Sequence, residues 1–167
     1  MMAVWLRRSI FGIALVGAGV TVGALVAWPT ASAIALGSDS TPSAAQPDTY
    51  KQAKDLVDDK EYAKAIPLLK QTIKEKGPSA DALNLLGFSY RKSGDAKKGL
   101  DYYLQALKLE PNHLGANEYL GELYLEMNDL PKAQERLLVL QKACGNCEES
   151  EDLDEAIADY KKAHGLT

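Results

Sequence analysis

Polar and apolar positions divide the chain into three stretches of different character. Ser9 to Trp28 carries no charge and is an almost unbroken apolar run. From residue 34 to about residue 48 small polar residues and prolines take over, including Gly37-Ser38-Asp39-Ser40-Thr41-Pro42-Ser43 and Gln46-Pro47. Such a stretch has little to bury and reads as a flexible tether. Between Tyr50 and Cys144 the pattern becomes periodic. Overlaying the chain on itself at the shift that carries Leu86 onto Leu120 aligns like with like.

The aligned columns are specific. Beside that leucine pair, Gly87 falls on Gly121 with Ala53 one period earlier, and Tyr90 on Tyr124 with Leu56 before it. Ala65, Gly99 and Ala133 form a column of small residues, and Leu69, Tyr103 and Leu137 a column of large ones. Asp95 and Asp129, each after Gly94 or Asn128, mark one recurring turn. Each period predicts two antiparallel helices. The small residues let the backbones approach closely, and the large ones fill the space beside them. Asp95 and Asp129 are suited to cap the second helix of their units, because a carboxylate accepts from free first-turn N–H groups. Pro111 cannot extend a helix and closes the middle unit. One such unit cannot bury its apolar face alone, so about three must stack.

The middle unit, with Leu86-Gly87-x-x-Tyr90, Gly99, Tyr103, Ala106 and Pro111, resembles a tetratricopeptide repeat at nearly every signature position. The third unit (Leu120-Gly121, Tyr124, Ala133, Leu137) is also similar, while the first (Ala53, Leu56, Glu61-Tyr62-x-x-Ala65, Leu69) is degenerate. The resemblance implies an all-α, right-handed superhelix of about three helix-turn-helix units, at about 46–79, 80–113 and 114–147. Two departures matter. Pro67 falls inside the second helix of unit one, where it predicts a kink or a late start. Gly99 stands where Ala is usual, costing about 1 kcal/mol of helix propensity that close helix approach can offset. Residues 148–164 predict a further helix with Leu153, Ala156, Ile157 and Tyr160 on one stripe, similar to the solvating helix that ends such stacks. The repeat domain therefore spans 49–166, after a leader at 1–33 and a tether at 34–48.

The leader reads as an export signal. Arg7 and Arg8 precede the apolar run, Pro29 breaks it, and Ala31-Ser32-Ala33 is a small-x-small cleavage site. About 20 apolar residues also suffice to span a bilayer, so the run fits either a cleaved signal or an uncleaved anchor. In the second case the arginines stay cytoplasmic and the repeats face outward. Arg7-Arg8 before Ile10 and Phe11 faintly resembles a twin-arginine signal, although Leu6 stands where Ser or Thr is usual. Gly19 and Gly23 share a G-x-x-x-G spacing that a Gly/Ala-rich leader produces by chance. The expected location is the bacterial periplasm, or the inner membrane with the repeats facing the periplasm.

Charge narrows the partner. The whole chain has a formal net charge of −4, and residues 34–167 hold 17 basic and 23 acidic residues. No clustered basic surface of the kind nucleic acid needs is visible. Seven acids between Glu148 and Asp159 suit a helix N-terminus followed by a solvated face, with an acidic docking patch as the sharper alternative. No Ser/His/Asp constellation, phosphate loop or paired-carboxylate site stands out, and His113 beside Pro111-Asn112 reads as a turn residue. The expectation is a non-enzymatic module without a cofactor, with another protein or an extended peptide segment as partner.

Cys144-Gly145-Asn146-Cys147 is the only cysteine pair. In an exported chain it reads first as a structural disulfide at the corner before the last helix. A redox centre would need a depressed thiol pKa, which Glu148, Glu149 and Glu151 oppose, and a βαβ context that is missing. Metal binding lacks a four-ligand spacing, and haem attachment would need His rather than Glu at 148.

The family resemblance implies a ligand groove lined by the first helix of each unit. By column it comprises Tyr50, Lys54 and Val57, then Asn84, Phe88 and Arg91, then Glu118, Glu122 and Leu125. Phe88 reads either as an exposed anchor or as packing between repeats. Lys54, Asn84 and Arg91 partly echo the basic, Asn-rich grooves that grip a terminal carboxylate, but Glu118 and Glu122 break the set. A mixed-sign groove fits an extended segment with its own charge pattern. The function expected is an interaction adaptor or scaffold of the envelope. The alternatives are a thiol–disulfide exchanger using Cys144 and Cys147, or a self-assembling structural protein of unknown oligomeric state.

Overall fold

The computed structural model describes residues 48–166. The leader, the Ala31-Ser32-Ala33 site, the Gly19/Gly23 spacing and all of the tether except Asp48 lie outside those residues. Seven helices follow one another: α1 (Thr49–Asp58), α2 (Tyr62–Lys76), α3 (Ala80–Lys92), α4 (Ala96–Leu109), α5 (Leu114–Glu126), α6 (Leu130–Cys144) and α7 (Glu148–Ala163). No strand occurs among the described residues, and none of their helices is long and apolar enough to cross a membrane.

The helices pair in sequence as α1/α2, α3/α4 and α5/α6. The odd-numbered helices also touch one another in series, α1 to α3 to α5 to α7, whereas α2, α4 and α6 do not. The odd helices therefore form the tight inner row and the even ones the splayed outer row, which curves the stack into a superhelix.

One turn, used three times, sets this geometry. Lys60, Gly94 and Asn128 lie one repeat period apart and all take positive φ, at 62°, 90° and 59°. The following N–H reaches back in each case: Glu61 to Leu56 O at 2.8 Å, Asp95 to Tyr90 O at 2.9 Å, and Asp129 to Tyr124 O at 2.7 Å. This six-residue closure satisfies a helix-end carbonyl and reverses the chain. Asp95 and Asp129 then cap α4 and α6 by accepting from the N–H groups of Lys98 and Lys132. Glu61 makes no side-chain cap at the equivalent position.

Close approach explains the small residues. A Cβ on Gly87 would meet the Tyr103 ring at 2.8 Å, and one on Gly99 would meet Gly87 O and Arg91 Cβ at 3.1 Å each. Helices α3 and α4 thus touch backbone to backbone at Gly87 and Gly99. Tyr103, fully buried, fills the space beside them. A Cβ on Gly121 would instead strike Leu153 of α7 at 2.5 Å, so that glycine makes room for the last helix. Pro67 sits inside α2, which runs from Tyr62 to Lys76 with no late start. The carbonyl it leaves without a partner belongs to Ala63, on the exposed side, where water can serve it. Leu153, Ile157, Ala156 and Tyr160 of α7 close the end of the core against Leu125, Ala133, Leu137 and Leu140.

Candidate functional site: the inner face of the stack

The residues of the expected groove lie on α1, α3 and α5, but not as a uniform exposed lining. Lys54 is exposed and pairs with Asp58 one turn on, at 2.9 Å. Tyr50 is half-buried and edges a small cleft of about 260 Å³ with Asp48, Thr72, Lys76 and Asp81. Val57, Arg91 and Leu125, one column, are all less than a tenth exposed. They form the seams between successive repeats: Val57 packs in the cluster with Leu86 and Tyr90, and Leu125 in the cluster with Leu153 and Ile157.

Arg91 is the polar member of that column, and its charge is already matched. Its Nη1 donates to Glu122 at 2.6 Å and to Tyr119 O at 3.3 Å, while Nε and Nη2 donate to Glu126 Oε1 at 3.0 and 2.7 Å. Burial works against the positive charge, but the hydrogen bonds that Arg91 donates to Glu126 and Glu122 outweigh it and hold the guanidinium above its ordinary pKa. The groove is therefore less mixed in sign than the sequence implies, because its one buried cation is spent on its own acids.

Phe88 is half-buried and lies between Tyr62 of α2 and Tyr119 of α5, with ring centroids 5.7 and 4.8 Å away. Lys92 Nζ stands 5.3 Å over the same ring. The ring packs between repeats. Asn84 and Glu118, each 7% exposed, face inward one column over. Asn84 Oδ1 has no hydrogen-bond partner. Burial first, then the charges of Glu122, Asp152, Glu149 and Glu148, push the Glu118 carboxyl up to about 8.

A cleft of about 620 Å³ opens on this face where α3, α5 and α7 run side by side. Arg91, Glu122 and Leu125 contribute to it, and α7 supplies Ala156, Asp159 and Tyr160. The lining expected from the sequence ends at α5, and α7 adds this further wall. The signal was present: Asp152, Ala156 and Asp159 continue the Glu118, Glu122 and Leu125 columns by the same repeat period. At the N-terminal end of α5 His113 caps the helix, Nδ1 accepting from Ala116 N–H at 3.0 Å and Nε2 lying 3.1 Å from Asp81 Oδ1. Cys144 and Cys147 are joined by a disulfide that links the end of α6 to the start of α7, with no free cysteine among the described residues.

Models of the tetratricopeptide repeat match residues 80–113 and 102–135. The first window coincides with the α3/α4 pair and the turn that follows it. The uncharacterized protein ycf37 of Pyropia yezoensis is 38% identical over 55 residues, covering 33% of this chain and 31% of that protein. The chain spans less than a third of the length of the curated relatives it matches. Among solved structures, the Yersinia enterocolitica type III secretion chaperone SycD, in complex with a peptide of the translocator YopD, superposes with a TM-score of 0.60. That match has 16% identity and covers 71% of this chain and 90% of the other. The second tetratricopeptide domain of human RPAP3, in complex with an HSP70 peptide, superposes with a TM-score of 0.60 at 14% identity, covering 68% and 92%. Residues 80–135 thus match tetratricopeptide-repeat models, and the described stack has the all-α superhelical fold that such repeats form.

Proposed function

We propose that this chain is a protein-interaction adaptor of the bacterial envelope that holds an extended segment of a partner protein on its inner face. The observation that carries this reading is the continuous surface of α3, α5 and α7, opening into a cleft of about 620 Å³. A cleft of that size, with aromatic, aliphatic and charged walls, suits side chains of a peptide better than a flat protein surface. Two neighbours of the same fold are solved with peptides bound, which supports the same use here.

The envelope part of the proposal rests on Arg7-Arg8, the apolar run Ser9 to Trp28 and Ala31-Ser32-Ala33, with the tether to residue 48 as spacer. The test is crosslinking and affinity capture from the envelope fraction, comparing wild type with Ala156→Trp. An indole at Ala156 fills the cleft from its α7 wall. Loss of the captured partner with an unchanged melting temperature supports the reading, and equal capture overturns it.

A further inference from the structure

Asn84, Glu118 and Asp152 lie one repeat period apart on α3, α5 and α7, so the superhelix sets them in one row across the inner face. Two members of the row are buried polar side chains, and one of them holds an acceptor without a donor. Asn84 and Glu118 are each 7% exposed; Asn84 Oδ1 has no partner, and among the described residues no hydrogen bond or ion pair holds the Glu118 carboxylate. Leaving such groups unmatched is costly, so native structures normally supply a partner.

The surroundings do not supply one. On α5 the neighbour is Glu122, and on α7 the groups facing Glu118 are Glu148, Glu149 and Asp152. On α3 the cation is Arg91, already committed to Glu122, Glu126 and Tyr119 O. On α6 Arg136 donates to Asn117 Oδ1 at 3.2 Å. Negative charge gathers around the Glu118 carboxylate, and among the described residues no cation forms an ion pair with it.

We propose that the Asn84–Glu118–Asp152 row is a seat for a lysine or arginine side chain carried by an extended segment of a partner protein. This rests on the reading of the inner face as the partner-binding surface and specifies what it selects. A lysine ammonium has three donors and no acceptor, and an arginine fork has five. Either can serve Glu118 and Asn84 Oδ1 together while Asp152, exposed at the rim, adds charge. Burial and the neighbouring acids push the free Glu118 carboxyl up to about 8, so near neutrality the empty seat is mostly protonated. An arriving cation displaces that proton to solvent. Affinity consequently rises with pH until Glu118 is ionised in the free protein as well.

The test is a random dodecapeptide phage library, panned at pH 8 on full-length wild type and on Glu118→Gln. Selected peptides are then synthesised and their binding measured by fluorescence anisotropy. Wild type is expected to enrich peptides bearing Lys or Arg. Replacing that residue with norleucine should weaken binding roughly tenfold, as should Glu118→Gln or, more mildly, the exposed change Asp152→Asn. Wild-type affinity should rise on the order of 20-fold from pH 6.5 to 8.5, in line with ionisation of one carboxyl, and the Glu118→Gln profile should be flat. Enriched peptides with no cationic preference, blocked by Ala156→Trp, would overturn the seat while leaving the groove reading intact. Failure to enrich any peptide would overturn both. Displacement of a Lys peptide by millimolar Ca²⁺ alone would make a metal ion the occupant and also overturn the seat.

Discussion

Arg91 on α3 donates from Nη1 to Glu122 Oε2 on α5 across 2.6 Å, with the guanidinium side chain only 5% exposed. The acid side chains are more open, at 28% for Glu122 and 51% for Glu126. Removing the arginine therefore strips hydrogen bonds and packing from the seam without stranding a fully buried anion. Arg91→Leu is expected to destabilise the fold by about 2 kcal/mol. Arg91→Lys should recover part of that, since an ammonium cannot reproduce the fork. Urea denaturation of the two variants checks both figures.

Lys60 offers a change in the opposite direction. It holds φ 62° at the turn where the second and third units have Gly94 and Asn128. A left-handed conformation costs a β-carbon-bearing residue on the order of 1 kcal/mol, which glycine does not incur. Lys60→Gly should stabilise the protein by somewhat less than about 1 kcal/mol, because glycine also loosens the unfolded chain. A rise in thermal midpoint is expected; a fall would contradict the shared-turn account.

Glu118 should impose a pH dependence on stability. Its carboxyl sits at about 8 in the folded protein against an ordinary value of 4.5. Between those values the native state binds more protons than the unfolded state, so stability falls as pH rises. The slope cannot exceed about 1.4 kcal/mol per pH unit, and local relaxation should keep the whole loss between pH 5 and 8 on the order of 2 kcal/mol. Glu118→Gln is expected to flatten this slope and to be more stable than wild type at pH 8. Chemical denaturation at several pH values measures it.

The Cys144–Cys147 bond closes a very short loop, so its entropic effect is small. Thiol titration of denatured protein without reductant should find no free sulfhydryl. Cys144→Ser with Cys147→Ser should cost about 2 kcal/mol at most and loosen α7 first. Hydrogen exchange along α7 reports that directly, and two titratable thiols in the untreated protein would contradict the bond.

Much of the architecture was readable because the repeat is a register phenomenon. Gly87, Tyr103 and Leu120 each have a counterpart of the same size class one period away, in Gly121, Leu137 and Leu86. Asp95 and Asp129 announce their caps through local chemistry. What escaped the sequence depends on the superhelix instead. Arg91 finds Glu122 and Glu126 on the next inner helix, and nothing local in the chain says which of several acids it will meet. Lys60 hides a left-handed turn that glycine would have announced. Pro67 is tolerated because the carbonyl it orphans faces water, a matter of helix orientation rather than composition.

The central claim is that a partner segment lies along the faces of α3, α5 and α7 rather than on the outer helices. Site-specific photocrosslinking in the cell of origin tests it most directly, with benzoylphenylalanine at Asp159 or Tyr160 in the cleft and at Leu138 on the outer row. Leu138 is 65% exposed, so it reports collisions with any passing protein. The account predicts a discrete adduct from Asp159 and Tyr160 and none of that size from Leu138. Adducts only from Leu138, or the same adducts from all three positions, would contradict it.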